Sequence, residues 1–266
     1  MLISPLAGRR ILITRAIAQL PALAAMVHGR GAIPVLFPCL TVTVMPDAIM
    51  QAISDMEHFS DVVFTSCNGV HSVLAVLNKH GLDAPDLLAS VRVAAVGQHT
   101  ADCLKQCGIR PDIVPETSSQ DGLIDAYRKT GLPHRLLFFR AEEGREALAE
   151  ALTGCNIKVV TIPAYRTVCP DDDASEVRTM LREGRIDGVL LGSAKAAFHY
   201  LRRIGDTELA ARPVIVTISE NMAAATACAG LNVQLVAKSA SFEAMLDILS
   251  DYFATVNDDI IYTTQE

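Results

Sequence analysis

Small polar residues follow short apolar runs at several points of the chain, in a pattern that suits anion binding. Residues 61–74 read DVVFTSCNGVHSVL and residues 187–201 read DGVLLGSAKAAFHYL, so each has an apolar burst, a hydroxyl residue and a helical pattern. Such a strand-to-helix corner presents unpaired first-turn N–H groups, and the helix dipole there favours an anion. Each polar residue could instead only cap its own helix, but so many corners together favour a binding site. The candidate residues are Thr65, Ser66, Asn68, Thr100, Ser118, Ser119, Ser193 and Ser219.

Two arginines end apolar runs at matched places in the chain. Arg15 follows ILIT and Arg140 follows LLFF. Ligands of open parallel sheets bind outside the carboxyl ends of the strands, and a guanidinium suits a carboxylate or phosphate there. We therefore expect both arginines to face a bound anion. For Arg140, a surface ion pair with a neighbouring glutamate is the alternative interpretation.

Several well-known kinds of chemistry are not indicated. The chain has no GxGxxG, no GxxxxGK[ST] and no GxSxG sequence, so neither a dinucleotide fingerprint, a P-loop nor a nucleophile elbow is predicted. The histidines show no spacing typical of a metal site or a Ser-His-Asp triad. The 7 cysteines are scattered and odd in number, which is typical of small core residues in a reducing compartment. We expect no metal and no cofactor.

Composition narrows the class of partner further. The chain of 266 residues is 50% hydrophobic, with a net charge of −7, a pI near 5.5, no Trp and no run of Lys or Arg. These features argue against a nucleic-acid surface. The apolar runs stop well short of the ~20 residues that a membrane span needs, and MLISPLAGRR does not resemble a signal peptide. We expect a cytoplasmic protein without membrane contact.

Short β-rich runs alternate with helical patterns along the whole chain. In open parallel sheets, this alternation places helices on both faces. The fold class expected is therefore α/β, with parallel sheets covered by helices. The predicted strands span residues 10–14, 32–37, 61–65, 92–96, 112–114, 136–139, 158–162, 188–191, 214–218 and 233–236.

The two halves of the chain repeat one another, which predicts two similar open-sheet domains. The strand–Arg unit comes first in one copy and fourth in the other, so one domain is expected to interrupt the other. Domain 1 then comprises residues 1–36 and 169–252, and domain 2 comprises residues 45–160. Residues 37–44 and 161–168 would form an antiparallel two-stranded linker that acts as a hinge, with a tail at 253–266 that is expected to be disordered. Two domains in series, with a boundary near residue 165, are the alternative.

Six short motifs in order resemble the uroporphyrinogen-III synthase family. The resemblance covers nearly the whole chain, to about residue 252, and depends on the order and spacing of the motifs rather than on any one of them. The motifs are TR (14–15), FTSCNGV (64–70), AVGQHTA (95–101), PETSSQDGL (115–123), FRAEEGREAL (139–148) and AYRT (164–167).

The resemblance implies a fold and a reaction. Members have two domains of this type, a two-stranded linker and a cleft between the domains. Their substrate is hydroxymethylbilane, a linear tetrapyrrole with acetate and propionate side chains. The enzyme expels the terminal hydroxyl as water, inverts ring D through a spiro intermediate and closes the macrocycle, without metal or organic cofactor. We expect a monomer, and the deaminase that makes hydroxymethylbilane is a candidate partner.

The resemblance also implies residue roles. Tyr165 matches the family tyrosine proposed to assist loss of the hydroxyl, although it could instead only pack at the hinge. The polar corners and the two arginines would hold the side-chain carboxylates. The sequence departs from the family at Gly192, where only the following serine survives, and at Glu220 and Met222. These departures leave a second hypothesis open, a non-catalytic two-lobed module that binds a tetrapyrrole or another anion.

Overall fold

The computed structural model describes residues 4–144 and 147–263. It divides into two compact units. Unit 1 comprises the described parts of Met1–Thr41 and Val168–Glu266, and unit 2 comprises those of Val42–Thr167. The chain therefore starts unit 1, builds unit 2 and returns to finish unit 1.

Ten strands and twelve α-helices are found in the described residues, with short 3-10 helices at Ile17–Gln19 and Met56–His58. The strands are β1 (Arg10–Ile13), β2 (Ile33–Leu36), β3 (Thr41–Val44), β4 (Asp61–Phe64), β5 (Arg92–Ala95), β6 (Arg135–Ala141), β7 (Lys158–Val168), β8 (Gly188–Leu191), β9 (Val214–Thr217) and β10 (Leu235–Val236). The helices are α1 (Leu20–Gly29), α2 (Pro46–Ser54), α3 (Cys67–Lys79), α4 (Ala84–Leu88), α5 (Gln98–Gln106), α6 (Gln120–Thr130), α7 (Ala147–Gly154), α8 (Ser175–Arg182), α9 (Ala194–Ile204), α10 (Thr207–Ala210), α11 (Glu220–Cys228) and α12 (Phe242–Thr263).

Unit 1 is built on a five-stranded sheet with the order β10-β9-β8-β1-β2. All four neighbouring pairs are parallel. Alternate residues of the central strands enter opposite cores, since Leu12 packs with α8, α9 and α10 whereas Ile11 and Ile13 pack with α1 and α12. This period of two is what a strand buried on both faces requires.

Unit 2 repeats the plan with the sheet order β3-β7-β6-β4-β5. The pairs β4–β5, β4–β6 and β6–β7 are parallel. Phe64 and Phe139 face the core formed with α2, α3, α4 and α5, whereas Val63 and Phe138 face the core formed with α6 and α7. Two parallel-dominated sheets with helices on both faces confirm the predicted fold class.

Two predicted strands are shorter in the structure, for one shared reason. The run at 112–114 makes only an isolated bridge between Ala94 and Ile113, because a side chain has taken a ladder position: the Asp112 carboxylate accepts the N–H of Val93 at 2.8 Å. The run at 233–236 is reduced to β10 in the same way, since the Gln234 amide oxygen accepts the N–H of Ile215 at 2.7 Å.

The predicted linker segments contribute strands to a sheet. Residues 41–44 form β3, which neighbours β7 in unit 2, and β7 runs the full length from Lys158 to Val168. The Met45 N–H donates to the carbonyl of Ala164 at 3.0 Å. Whether these segments act as a hinge stays a prediction.

The predicted disordered tail is wrong as far as residue 263, because α12 continues to Thr263. Phe253 anchors this part of the helix: it is buried in the unit 1 core, and the Arg9 guanidinium lies 4.3 Å from its ring centroid. Residues 264–266 of the predicted tail lie outside the described residues. Within the described chain, none of the helices combines the length and apolar character needed to cross a membrane.

Candidate functional site

The corner after β4 joins two residues that lie far apart in the sequence. Ser66 caps α3, and its Oγ accepts the N–H of Gly69 at 3.2 Å. The same Oγ lies 2.9 Å from the phenol oxygen of Tyr165, a hydrogen bond that spans 99 residues. The hydroxyl can make both bonds because it has one O–H donor and two acceptor sites. The structure thus places a predicted anion-binding residue against the predicted catalytic tyrosine.

A bulge in β7 directs Tyr165 toward that corner. Arg140 of β6 pairs with Pro163, but Ala141 pairs with Tyr165, so β7 carries one extra residue, Ala164. As a consequence, Ala164 and Tyr165 are consecutive yet enter the same core. Bulges commonly re-aim a side chain in this way, and a proline with no N–H to donate favours one. The tyrosine ring is 7% exposed.

The next two corners of unit 2 pack against each other. Gly97 caps α5, and a Cβ on it would lie 2.7 Å from both Cβ and Oγ of Ser118. Ser119 caps α6 and accepts the N–H of Gly122 at 2.9 Å. The capping role considered for Thr100 is wrong, since Thr100 lies in the first turn of α5 and is 5% exposed. Ser118 does not cap α6 and is exposed.

Unit 1 presents two capped corners of the same kind. Ser193 caps α9 and accepts the N–H of Ala196 at 3.2 Å, and Ser219 caps α11 and accepts the N–H of Met222 at 3.4 Å. Glu220 is exposed in the first turn of α11. The helix dipole stabilises a negative charge at this position. The two serines therefore keep the geometry of the unit 2 caps despite the sequence departures around them.

The two matched arginines have different surroundings. Arg140 is 8% exposed and donates to the carbonyls of Ala141, Glu142 and Gly144 at 2.9, 3.0 and 3.2 Å, so it organises its own loop. Whether Arg140 also makes the alternative ion pair with a neighbouring glutamate stays a prediction. Arg15 is half-buried, and desolvation lowers the pKa of its guanidinium.

The remaining unit 2 candidates line the first corner. Thr65 is half-buried and Asn68 is exposed in the first turn of α3. Beside them, the thiol of Cys103 lies 3.3 Å from Nε2 of His71. Burial, followed by the neighbouring thiol of Cys67, raises the pKa of Cys103 to about 12. This thiol is therefore neutral and a poor nucleophile.

Two residues near the site were missed by the sequence reasoning. The sequence pattern does not identify Gly97 as a helix cap, and it does not single out Phe242. The repeat held a signal for Phe242, because Ser119 and Ser241 are equivalent caps and Phe242 therefore matches Gln120. Within the described chain, no group of three or more His, Cys, Asp or Glu side chains is placed to hold a metal ion. The corners of each unit offer hydroxyls and helix N-termini, with a phenol in unit 2 and the Arg15 guanidinium in unit 1, and groups of these kinds suit carboxylates.

Comparison with known proteins points to one family. A family model described as uroporphyrinogen-III synthase HemD matches residues 21–247. A protein of Synechococcus elongatus named uroporphyrinogen-III synthase is 30% identical over 203 residues, which cover 74% of this chain and 75% of that protein. A protein of Ruminiclostridium josui named porphyrin biosynthesis protein HemD is 27% identical over 92% of this chain, but the chain spans only 49% of its length.

Solved structures share the fold. A mutant uroporphyrinogen III synthase from the extremely thermophilic bacterium Thermus thermophilus superposes with a TM-score of 0.56 at 18% identity, over 93% of this chain and 100% of that one. A uroporphyrinogen-III synthetase from Helicobacter pylori gives a TM-score of 0.59 at 16% identity, over 92% of this chain and 99% of that one.

Proposed function

The chain belongs to the uroporphyrinogen-III synthase family, and we propose that it converts hydroxymethylbilane into uroporphyrinogen III in tetrapyrrole biosynthesis. The observation that carries this proposal is the 2.9 Å hydrogen bond between Ser66 Oγ and the Tyr165 phenol at the carboxyl end of β4. This bond supports a role for the phenol as an acid, because it orients the Tyr165 side chain beside hydroxyl groups suited to carboxylates.

The proposed chemistry begins with loss of the terminal hydroxyl. The Tyr165 O–H donates its proton as the C–O bond breaks, and the oxygen leaves as water. Ser66 is placed to donate its own O–H to the phenol oxygen, which stabilises the negative charge that develops there. One proton is taken up by the leaving hydroxyl, and one is released when the closing pyrrole regains aromaticity. The phenol can therefore be restored in each turnover.

The polar corners are proposed to hold the acetate and propionate groups. A serine whose Oγ accepts a helix N–H still has an O–H to donate, and the adjacent first-turn N–H groups and helix dipole favour an anion. Fixing these groups holds the bilane in the conformation that leads to inversion, so orientation supplies much of the catalysis. The proposed contacts are Thr65, Ser66, Asn68, Ser118 and Ser119 in unit 2, and Arg15, Ser193 and Ser219 in unit 1.

We propose structural roles for two of the residues that were predicted to bind substrate, Thr100 and Arg140. Thr100 is proposed to support the α5 corner from within, because it is buried in the first turn. Arg140 is proposed to shape the loop after β6, because its guanidinium donates hydrogen bonds to three carbonyls of that loop.

We further propose that the protein is a cytoplasmic monomer that receives hydroxymethylbilane from the deaminase.

The test couples the purified chain to a hydroxymethylbilane-producing deaminase and resolves the oxidised products. The unaided reaction gives isomer I, so isomer III as the main product is the expected result. Tyr165→Phe is expected to lower kcat about 10²-fold, the lower end for loss of a general acid. Tyr252→Phe, the same change on α12, serves as the control and leaves kcat unchanged. Isomer I alone from a folded protein would favour the non-catalytic binding module instead.

A further inference from the structure

Arg15 is a half-buried cation that makes no hydrogen bond and no ion pair within the described chain. Its guanidinium contacts an aromatic ring instead, since the guanidinium carbon lies 5.5 Å from the ring centroid of Phe242, above its face. The matched Arg140, by contrast, donates to three loop carbonyls. The two copies of the strand–Arg unit have therefore taken different roles.

Gly192 provides the room for that ring. A Cβ at this position would lie 2.7 Å from Cζ of Phe242 and within 3.5 Å of two further ring carbons. In unit 2 the matching places hold Thr65 and Gln120, so the corner carries a side chain where unit 1 has a glycine, and the first residue of α6 carries an amide where α12 has a ring. Unit 1 has exchanged a small polar side chain for an aromatic one that approaches from α12.

The ring holds the guanidinium but satisfies none of its N–H groups. A guanidinium stacked on an aromatic face keeps its in-plane N–H donors available, and these match a carboxylate in a bidentate geometry. Desolvation lowers the pKa of Arg15, because burial disfavours the charged form. Ser193 and Ser241 cap the helices that begin beside Gly192 and Phe242.

We propose that Phe242 is a positioning residue that holds Arg15 for one carboxylate of the substrate, and that Gly192 exists to admit its ring. This inference rests on the function proposed above, and names one of its carboxylate subsites. The departure from the family pattern at Gly192 is then a rebuilt subsite and not a lost one.

Four variants test the proposal in the coupled assay. Phe242→Leu keeps an apolar side chain but removes the π face, Phe242→Tyr keeps the face, Arg15→Met removes the charge, and a double variant combines Phe242→Leu with Arg15→Met. Phe253→Leu is the matched control, because it removes a second Arg–Phe stack on the same helix, with Arg9 at 4.3 Å. Thermal unfolding of each variant checks the fold, and titration with uroporphyrin III measures affinity independently of turnover.

The expected result separates positioning from simple packing. Phe242→Leu should raise KM and the Kd for uroporphyrin III about three- to tenfold, as expected for loss of a cation–π contact, with kcat nearly unchanged. Phe242→Tyr and Phe253→Leu should keep wild-type KM, and the double variant should be no worse than Arg15→Met alone. An unchanged KM in Phe242→Leu, or additive losses in the double variant, would overturn the proposal.

The two readouts keep this inference distinct from the proposed function. A wild-type protein that forms only isomer I would refute the synthase activity, while the same order of affinities for uroporphyrin III would still support the Arg15 subsite. Normal isomer III formation with an unaffected Arg15→Met would refute the subsite and leave the activity standing. A wild-type protein that neither forms isomer III nor binds uroporphyrin III would refute both.

Discussion

The contact between the α5 and α6 corners predicts that Gly97→Ala is harmful and that a second, distant change repairs it. The new Cβ would lie 2.7 Å from both Cβ and Oγ of Ser118, but 3.4 Å from its Cα. Gly97 itself is extended, with φ −163° and ψ 170°, so alanine meets no backbone strain there. The whole cost is therefore steric, and Ser118→Gly removes both clashing atoms.

The magnitudes follow from that geometry. Overpacking of this kind costs about 2 kcal/mol, and the small effects of alanine on the cap and on the unfolded chain oppose each other. Ser118→Gly costs about 0.7 kcal/mol through added backbone freedom. The double variant should lose only about 0.7 kcal/mol, because its closest contact is an ordinary one. The interaction energy between the two sites is then about −2 kcal/mol.

Urea unfolding followed by far-UV circular dichroism measures these free energies, since the chain has no Trp to report by fluorescence. Gly29→Ala is the control, because nothing lies within 4 Å of its Cβ position, and it should be neutral or stabilising by up to about 1 kcal/mol. If Gly97→Ala is as stable as wild type, or the double variant loses the sum of the single losses, the two corners are not packed as rigidly as the structure indicates.

Three further predictions concern single side chains. Ser66→Ala removes a helix cap and the hydrogen bond to Tyr165, whereas Ser193→Ala removes only a helix cap. Ser66→Ala should therefore lower the free energy of unfolding by about 1 kcal/mol more than Ser193→Ala does. Equal losses would contradict this prediction. Asp61→Asn breaks an ion pair whose carboxylate is fully buried and should cost about 3 kcal/mol. Asp125→Asn at an exposed pair should cost less than about 0.5 kcal/mol, and urea unfolding compares the two variants. Burial raises the pKa of Tyr127, so above about pH 10 the unfolded phenol ionises first and stability falls as pH rises. Tyr127→Phe should lose less stability than wild type between about pH 8 and pH 11, and an identical loss would refute the reasoning.

Much of the fold could be predicted because its signals are local. Apolar runs of strand length, helical spacing and corner residues such as Ser66, Ser119, Ser193 and Ser219 each act within one turn of chain. The repeat of these signals indicated two similar sheets, and the structure has them. Where a side chain replaced a ladder partner, as at Asp112 and Gln234, the same local patterns predicted strands that are too long.

The site was less accessible from the sequence, since its contacts join residues that only the sheets bring together. The contact between Tyr165 and Ser66 could not be predicted from the sequence, because the bulge at Ala164 sets the direction of the tyrosine side chain. Nor could matched positions tell that Arg140 would bind its own loop, while Arg15 would stack on Phe242.

The sequence by itself determined the strand-to-helix corners and their polar caps, because capping depends on neighbours within four residues. The tertiary structure decided which corners touch, which arginine stacks on a ring and which glycine leaves space for that ring. Those outcomes depend on close packing between elements that are far apart in the chain, where even one methylene group affects the fit.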